Sequence, residues 1–257
     1  MIEARGVVVR AGGRTLLDRI SLDVADGEVV ALLGANGAGK STLLAALAGD
    51  RPPAAGCVWI GGRDVARMSA RELAGRRAVL RQRSWLTAAF TVLEVVQLGQ
   101  LCPDDAAARR CLGMVGMEGF ADRVYPTLSG GEQQRVQLAR VLAQIDGRSG
   151  AALLLDEPAA ALDLRQRRMV EQVARAAAAH GHPVVLVAHD LDVVARCADR
   201  VLVLRAGVAL ADGPPGRVLS SALLSRAFDI PVEVERTPRG ALVVQPIAAD
   251  RAVNDAG

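Results

Sequence analysis

The sequence predicts an α/β fold with an open, mostly parallel sheet, and three stretches support this prediction. The apolar run 29–33 leads into a glycine-rich loop and then into a helix-like segment. Two further apolar runs, 151–155 and 184–188, each end in polar residues and precede segments with helical periodicity. Such runs are typical of strands buried on both faces of a parallel sheet, where ligands bind at the carboxyl ends of the strands.

The first 33 residues predict short antiparallel strands ahead of the buried strand. Apolar and polar residues alternate here in pieces, and the alternation breaks at Ala11-Gly12-Gly13 and at Asp26-Gly27. We therefore expect a β-rich N-terminal region that leads into the run 29–33.

The glycine loop has the spacing G-x-x-x-x-G-K-S. Its glycines allow consecutive backbone N–H groups to turn toward a phosphate, and the following helix adds its partial positive charge. Lys40, the only lysine in the chain, can reach the outer phosphates, and Ser41 can ligate Mg²⁺. The loop predicts a nucleoside triphosphate site. The nucleotide-binding residues are Gly34, Ala35, Asn36, Gly37, Ala38, Gly39, Lys40, Ser41 and Thr42.

The middle of the chain changes from strand to helix patterns. Residues 57–60 and 78–82 predict short strands, the second ending at Gln82. From residue 84 to about residue 148 the periodicity is helical, and a new helix is expected to begin at Pro103-Asp104-Asp105. We interpret residues 84–148 as a helical subdomain inserted into a core formed by residues 1–83 and 149–230.

The second half of the core returns to alternating strands and helices. The strand 151–155 ends in Asp156-Glu157-Pro158, and a helix follows from about residue 164 to residue 180. The strand 184–188 ends in His189-Asp190, and a later hairpin is expected around Ala206-Gly207. Beyond residue 231 the pattern is weak and polar, which predicts a partly disordered tail over residues 231–257.

Composition limits the possible partners. A length of 257 residues allows one large domain with an insertion, and a net charge of +3 creates no strong field that would favour nucleic acid. The four cysteines lack C-x-x-C spacing, which favours reduced thiols and a cytosolic setting over disulfides or zinc. We find neither a leader pattern nor 18 consecutive uncharged apolar residues, so the chain is not expected to be exported or to span a membrane by itself.

A second glycine motif follows in the helical segment. In the run Leu128 to Arg135, a serine and two glycines open a helix, which makes another anion-binding helix N-terminus. Alone it indicates only a well-capped helix. Together with the glycine loop, Gln82, Asp156-Glu157 and His189 in this order, it resembles the nucleotide-binding subunit of ABC transporters over residues 1–230. The implied fold is an ABC-type P-loop NTPase with a RecA-like parallel-sheet core.

The resemblance implies a role for each matching residue. The catalytic residues are Lys40, Gln82, Glu157 and His189; the Mg²⁺ ligands are Ser41, Gln82 and Asp156; the signature residues are Ser129, Gly130, Gly131 and Glu132; and Asp163 is the D-loop aspartate. Phosphoryl transfer needs positive charge on the developing oxyanions and a group that orients the attacking water. Glu157 is the candidate for the second task. ATP and Mg²⁺ are the implied cofactors.

The family's architecture also implies partners. The signature of one cassette completes the nucleotide site of another, so we expect a head-to-tail dimer with two sandwiched ATP molecules. We further expect two transmembrane permease subunits, an indirect link to a periplasmic binding protein, and a peripheral position on the cytoplasmic face of a bacterial inner membrane. The run 133–144 looks similar to hemin importer ATPases. Siderophore importers, cobalamin importers and non-transport ABC ATPases are the alternatives.

Two positions depart from the family pattern. Position 159, often Thr in relatives, is Ala159, a change expected to have little effect. Ala11 occupies the position where relatives carry an aromatic ring that stacks on adenine. If nothing replaces the ring, we expect weak discrimination between ATP and GTP. Arg10 or Arg14 could cover adenine instead, which would restore some affinity with little base selectivity.

Overall fold

The computed structural model describes residues 1–82, 86–158, 163–188, 190–237 and 242–247. The strands are β1 (Ile2–Ala11), β2 (Arg14–Val24), β3 (Val29–Leu33), β4 (Ala55–Ile60), β5 (Arg63–Asp64), β6 (Arg77–Leu80), β7 (Ala152–Asp156), β8 (Val184–Val187), β9 (Arg200–Arg205), β10 (Val208–Gly213), β11 (Val232–Arg236) and β12 (Leu242–Pro246). The helices are α1 (Lys40–Leu47), α2 (Ala70–Arg76), α3 (Val92–Gln97), α4 (Asp105–Met114), α5 (Gly130–Ile145), α6 (Leu164–Ala179), α7 (Leu191–Cys197), α8 (Pro215–Val218) and α9 (Ser221–Phe228).

The central sheet has the strand order β10-β9-β3-β8-β7-β6. Strands β9, β3, β8, β7 and β6 are parallel, and β10 pairs antiparallel with β9. All residues of β3 and β8 are buried, as is β7 except for its last residue. The predicted parallel core is therefore confirmed, and its continuous apolar runs are the strands covered on both faces. The carboxyl ends of β3, β7 and β6 face the same edge of the sheet, since these strands run in the same direction.

The N-terminal sheet is antiparallel, with the strand order β2-β1-β4-β5. Its first two strands are longer than the short strands that the sequence predicts: β1 has 10 residues and β2 has 11. Register shifts interrupt the β1–β2 pairing between Ala4 and Arg10. Such shifts break the two-residue alternation of a strand, which explains why continuous strands look like fragments in the sequence. Helix α1 packs between this sheet and the central one through Leu43 and Leu47.

The segment between β6 and β7 is mainly helical, as expected. Val92, Val95 and Val96 are buried on one face of α3, and Asp104 caps α4 by accepting hydrogen bonds from two amides of its first turn. Helix α5 also contacts the edge of the central sheet, where the Gln144 amide donates to the carbonyls of Ala74 and Arg77 at 2.9 Å. This helix therefore joins the helical segment to the core.

The chain beyond residue 231 differs from the expected tail. Strands β11 and β12 form an antiparallel hairpin, and Val232 and Leu242 are buried. The hydroxyls of Ser225 and Ser221 on α9 accept hydrogen bonds from the amides of Val232 and Val234, both at 2.9 Å. The hairpin is ordered because it packs against α9 and α7, which its own weak sequence pattern cannot reveal. Among the described residues, no helix is long and apolar enough to cross a membrane.

Candidate functional site

The glycine loop runs from the end of β3 to the start of α1. Gly34, Gly37 and Gly39 have φ values of 148°, 79° and 106°, which side chains rarely allow. A Cβ on Gly34 would lie 2.2 Å from the carbonyl oxygen of Leu204, and one on Gly39 would lie 2.7 Å from a methyl of Leu17. Glycine is therefore required at both ends of the loop, where the backbone passes close to its neighbours.

Lys40 is the first residue of α1, and its side chain turns back into the loop. Its Nζ donates to the carbonyl oxygens of Gly34 at 2.8 Å and Ala35 at 3.0 Å, and only 5% of the residue is exposed. Burial lowers the pKa of Lys40, whereas the carboxylates of Glu157 and Asp156 raise it. An ammonium has three hydrogens, so among the described residues one stays available for a phosphate oxygen.

Ser41 and Asp156 bring two oxygen ligands together beside the loop. Asp156 ends β7, and its Oδ1 accepts a hydrogen bond from the Ser41 hydroxyl at 3.1 Å. Hydroxyl and carboxylate oxygens are the donors that Mg²⁺ prefers. The donor chemistry and the 3.1 Å separation therefore fit a magnesium ion shared with phosphate.

Glu157 and Gln82 meet at the same edge of the sheet. The Gln82 amide donates to Oε2 of Glu157 at 2.7 Å, and the Glu157 amide donates to the carbonyl of Val187 at 3.1 Å. The backbone of Glu157 has a φ of 51°, in the left-handed region that is uncommon for residues with a side chain. Strained backbone of this kind is frequent at functional sites.

Ser129 and Glu132 form a capping box at the start of α5. The Ser129 amide and hydroxyl donate to Glu132 Oε2 at 2.8 and 2.7 Å, and Ser129 Oγ accepts from the Glu132 amide at 3.4 Å. These hydrogen bonds from Ser129 lower the pKa of Glu132. Space around Gly130 is open, since a Cβ there would meet nothing within 4 Å. The helix start is therefore accessible, as an anion-binding helix N-terminus must be.

Of the remaining predicted residues, Asp163 and Ala11 lie within the part of the chain that the structure describes. Asp163 caps α6 and accepts from the Gln166 amide at 2.8 Å. His189 and Ala159 lie outside the described residues. Ala11 is exposed at the end of β1, where it pairs with Arg14. The structure thus brings together Lys40, Ser41, Gln82, Asp156 and Glu157, while Ser129 and Glu132 hydrogen-bond each other at a separate helix start.

Comparison with known proteins decides the family. The family model described as "ABC transporter" matches residues 17–160, which include the glycine loop, the signature residues and the carboxylates of Asp156 and Glu157 at the end of β7. The chain belongs to the ABC transporter family. As an ABC cassette of this family it is an ATPase whose nucleotide hydrolysis is coupled to transport.

The curated relatives of this ABC cassette match it over nearly its whole length. The hemin import ATP-binding protein HmuV of Streptomyces coelicolor is 49% identical to this chain. The alignment covers 95% of this chain and 89% of the relative. The protein of the same name in Rhodopseudomonas palustris is 44% identical to this chain. That alignment covers 95% of this chain and 94% of the relative. The solved ATP-binding cassette MJ0796, a dimer in a post-hydrolysis state with ADP and Pi, is 27% identical with a TM-score of 0.74. It covers 84% of this chain and 99% of its own.

Two side chains of this ABC cassette contact residues next in sequence to Glu157 and His189, and no sequence pattern predicted these contacts. Gln134 on α5 donates its amide hydrogen to the carbonyl of Pro158 at 2.8 Å. Arg167 on α6 pairs at 2.7 Å with Asp190, the residue that caps α7. Both partners are more than 20 residues away in sequence, so no local pattern indicates either contact.

Proposed function

We propose that this chain is the ATP-hydrolysing subunit of a bacterial ABC importer that takes up hemin. The observation that carries this proposal is the identity of 49% and 44% with two hemin import ATP-binding proteins, each spanning 95% of this chain. This similarity reaches beyond the cassette motifs that all ABC ATPases share. The relatives' names therefore favour hemin over siderophore or cobalamin as the cargo.

The site geometry supports a division of tasks in ATP hydrolysis. The loop amides and the Lys40 ammonium hold the outer phosphates, and the glycines at 34, 37 and 39 keep the loop open to them. Ser41, Asp156 and Gln82 would hold Mg²⁺. When bound, the ion neutralises negative charge on the phosphate oxygens.

Glu157 is the residue that we assign to the attacking water. Its carboxylate accepts a hydrogen bond from Gln82, so the two side chains orient each other at the sheet edge. A carboxylate fixed in this way can accept a hydrogen bond from the attacking water and align the water oxygen with the γ-phosphorus. In the same proposal His189, the residue before the α7 cap Asp190, contacts the γ-phosphate.

A second copy of the chain completes each site in this proposal. The signature residues 129–132 and the D-loop residue Asp163 lie at helix starts that can face a partner's nucleotide. The solved cassette MJ0796 is a dimer, which supports this arrangement. ATP closes the dimer and hydrolysis reopens it, which makes the pair a ligand-biased two-state element.

The importer assignment implies membrane partners. We infer that two permease subunits bind the cassette dimer, that a periplasmic binding protein delivers hemin to them, and that the cassette lies at the cytoplasmic face of the inner membrane. The helical segment 84–148 is the proposed contact for the permease, with residues 1–83 and 149–230 as the RecA-like core. The importer names of the relatives support the permease subunits as partners.

Reconstitution with the membrane subunits tests the proposal. The chain is isolated from membranes together with its bound permease, and the complex is placed in proteoliposomes. We expect ATP-dependent uptake of hemin that is abolished by Glu157→Gln. Uptake of cobalamin or a ferric siderophore without uptake of hemin would overturn the cargo assignment, and an absence of ATP hydrolysis would overturn the enzymatic one.

A further inference from the structure

We propose that Gln134 is a positioning residue that links the signature helix α5 to the catalytic carboxylate Glu157 of the same chain. The link is the 2.8 Å hydrogen bond from the Gln134 amide to the carbonyl oxygen of Pro158, the residue that follows Glu157. This inference rests on the proposed role of Glu157 and adds a residue to which no role is otherwise assigned. Gln134 acts through Glu157 and contacts no substrate itself.

Glu157 needs external restraint because its backbone is held in an uncommon conformation. Its φ of 51° persists only where the surroundings determine it, and three contacts among the described residues contribute to this. Val187 accepts from the Glu157 amide, Gln82 donates to its carboxylate, and Gln134 donates to the carbonyl of the next residue. Removing the Gln134 contact leaves the C-terminal side of Glu157 with one restraint fewer.

The three contacts come from different parts of the chain. Val187 ends β8 and Gln82 lies two residues after the end of β6, so both contacts come from the carboxyl ends of central-sheet strands. Gln134 lies on α5, five residues after the cap Ser129, within a continuous helix of 16 residues. A rigid helix transmits a displacement of its first turn to its second. A displacement of Ser129 by a partner's nucleotide would therefore move the Pro158 carbonyl and, with it, Glu157.

The neighbouring glutamine is a matched control. Gln133 also lies on the second turn of α5 and also donates its amide hydrogen to a backbone carbonyl, that of Leu128, at 3.1 Å. This bond stays within the helical segment and does not reach the strand β7. Gln133→Met and Gln134→Met remove equivalent donors from adjacent positions and conserve side-chain length.

The first experiment separates turnover from binding in the purified full-length chain. We expect Gln134→Met to lower kcat for ATP by about 10- to 100-fold, the scale for a misplaced catalytic group, with KM and ATP affinity changed less than twofold. Gln133→Met should retain kcat within about threefold. Thermal melting identifies a variant that fails to fold, in which case Gln134→Leu replaces it. Equal losses in both variants, or an unchanged kcat in Gln134→Met, would overturn the proposal.

The second experiment is a double-mutant cycle with Glu157→Gln. If Gln134 acts through Glu157, adding Gln134→Met to Glu157→Gln should cause no further loss of turnover. A multiplicative loss would show that Gln134 acts elsewhere and would overturn the proposal. Both experiments measure ATP hydrolysis and do not depend on the cargo, so they remain valid if hemin is not the substrate. Wild-type turnover is measured alongside the variants, which shows separately whether the chain hydrolyses ATP.

Discussion

At the residue scale, the site places one buried cation beside two carboxylates. Lys40 donates to two loop carbonyls, while Glu157 and Asp156 favour its charged form. Phosphate oxygens can replace or join these acceptors without removing the ammonium from its position. The site is therefore preorganised for an anion, and its carboxylates are held by Ser41 and Gln82 rather than by Lys40 alone.

Glu157→Gln should keep ATP binding and lower turnover by roughly two to four orders of magnitude, the scale for a positioned acid–base or water-orienting group. The amide keeps the size of the side chain but cannot accept a proton. Steady-state hydrolysis and a nucleotide-binding titration measure the two effects. Hydrolysis at a rate near that of the wild type would show that another group orients the water.

Ala11→Tyr should strengthen ATP binding. An aromatic ring on adenine contributes about 1 kcal/mol or somewhat more, which is close to a tenfold change in affinity. Ala11 is exposed, so a ring there need not displace core residues. Dissociation constants for ATP should fall several-fold, while those for free triphosphate stay constant. An unchanged ATP affinity would mean that adenine is bound elsewhere.

At the element scale, helix capping alone does not identify the signature. Within the described ranges of the chain, three capping boxes form, at Ser69–Glu72, Thr91–Glu94 and Ser129–Glu132. Of these three, the third alone has two glycines between its serine and its glutamate, and this spacing made it recognisable from sequence. Local chemistry could therefore predict the helix starts and the glycine loop. The contact of Gln134 with Pro158 could not be predicted, since it depends on how α5 packs against the end of β7.

Ser129→Arg should block ATP-driven dimerisation while each chain still binds nucleotide, because a bulky cation would occupy the surface that receives the partner's phosphate. Light scattering with and without ATP, in the Glu157→Gln background, measures the effect. The substitution also removes a helix cap, which costs about 1 kcal/mol. Ser69→Arg removes the equivalent cap from α2 and should leave dimerisation intact. Undiminished dimerisation of the Ser129 variant would contradict the sandwiched dimer.

At the scale of the whole molecule, the parallel core was predictable and the arrangement around it was not. Buried apolar runs indicate which segments form central strands, but nothing within a strand specifies its neighbour in the order β10-β9-β3-β8-β7-β6. The hairpin of β11 and β12 was missed because its packing partners α7 and α9 lie elsewhere in the chain. The boundaries of the helical subdomain at residues 84 and 148 stay predictions, since α5 contacts both parts.

Stability of the whole chain should fall as the pH is lowered from about 7 to 5. His182 is buried, with Nδ1 at 2.9 Å from the carbonyl of Ala151. Burial is the main cause that lowers the pKa of His182, and the nearby His180 lowers it further. The hydrogen bond to Ala151 and the carboxylates of Asp26 and Asp146 raise the pKa, but burial outweighs them. In the unfolded chain this histidine takes up a proton below a pH of about 6.5, whereas in the folded chain it does so only at lower pH. The contribution of His182 to folding stability is therefore complete above pH of about 6.5 and declines below it.

Variants of the two neighbouring histidines isolate this effect. His182→Gln keeps an amide donor for Ala151 and removes the titration, so its melting temperature should vary less between pH 7 and 5 than that of the wild type. His180→Gln, at the exposed end of α6, should keep most of the wild-type slope, because burial is the largest cause of the lowered pKa of His182. If all three proteins lose stability equally on acidification, the dependence arises from other groups.

The solitary lysine gives this protein an unusual spectroscopic property. A sample grown with isotope-labelled lysine contains one labelled side chain, and that side chain is bound to the carbonyls of Gly34 and Ala35. Its single ammonium resonance reports the nucleotide site without any assignment by mutagenesis. The 95% burial of Lys40 also slows exchange of its hydrogens with water, so the signal can be followed while ATP, ADP or phosphate is added.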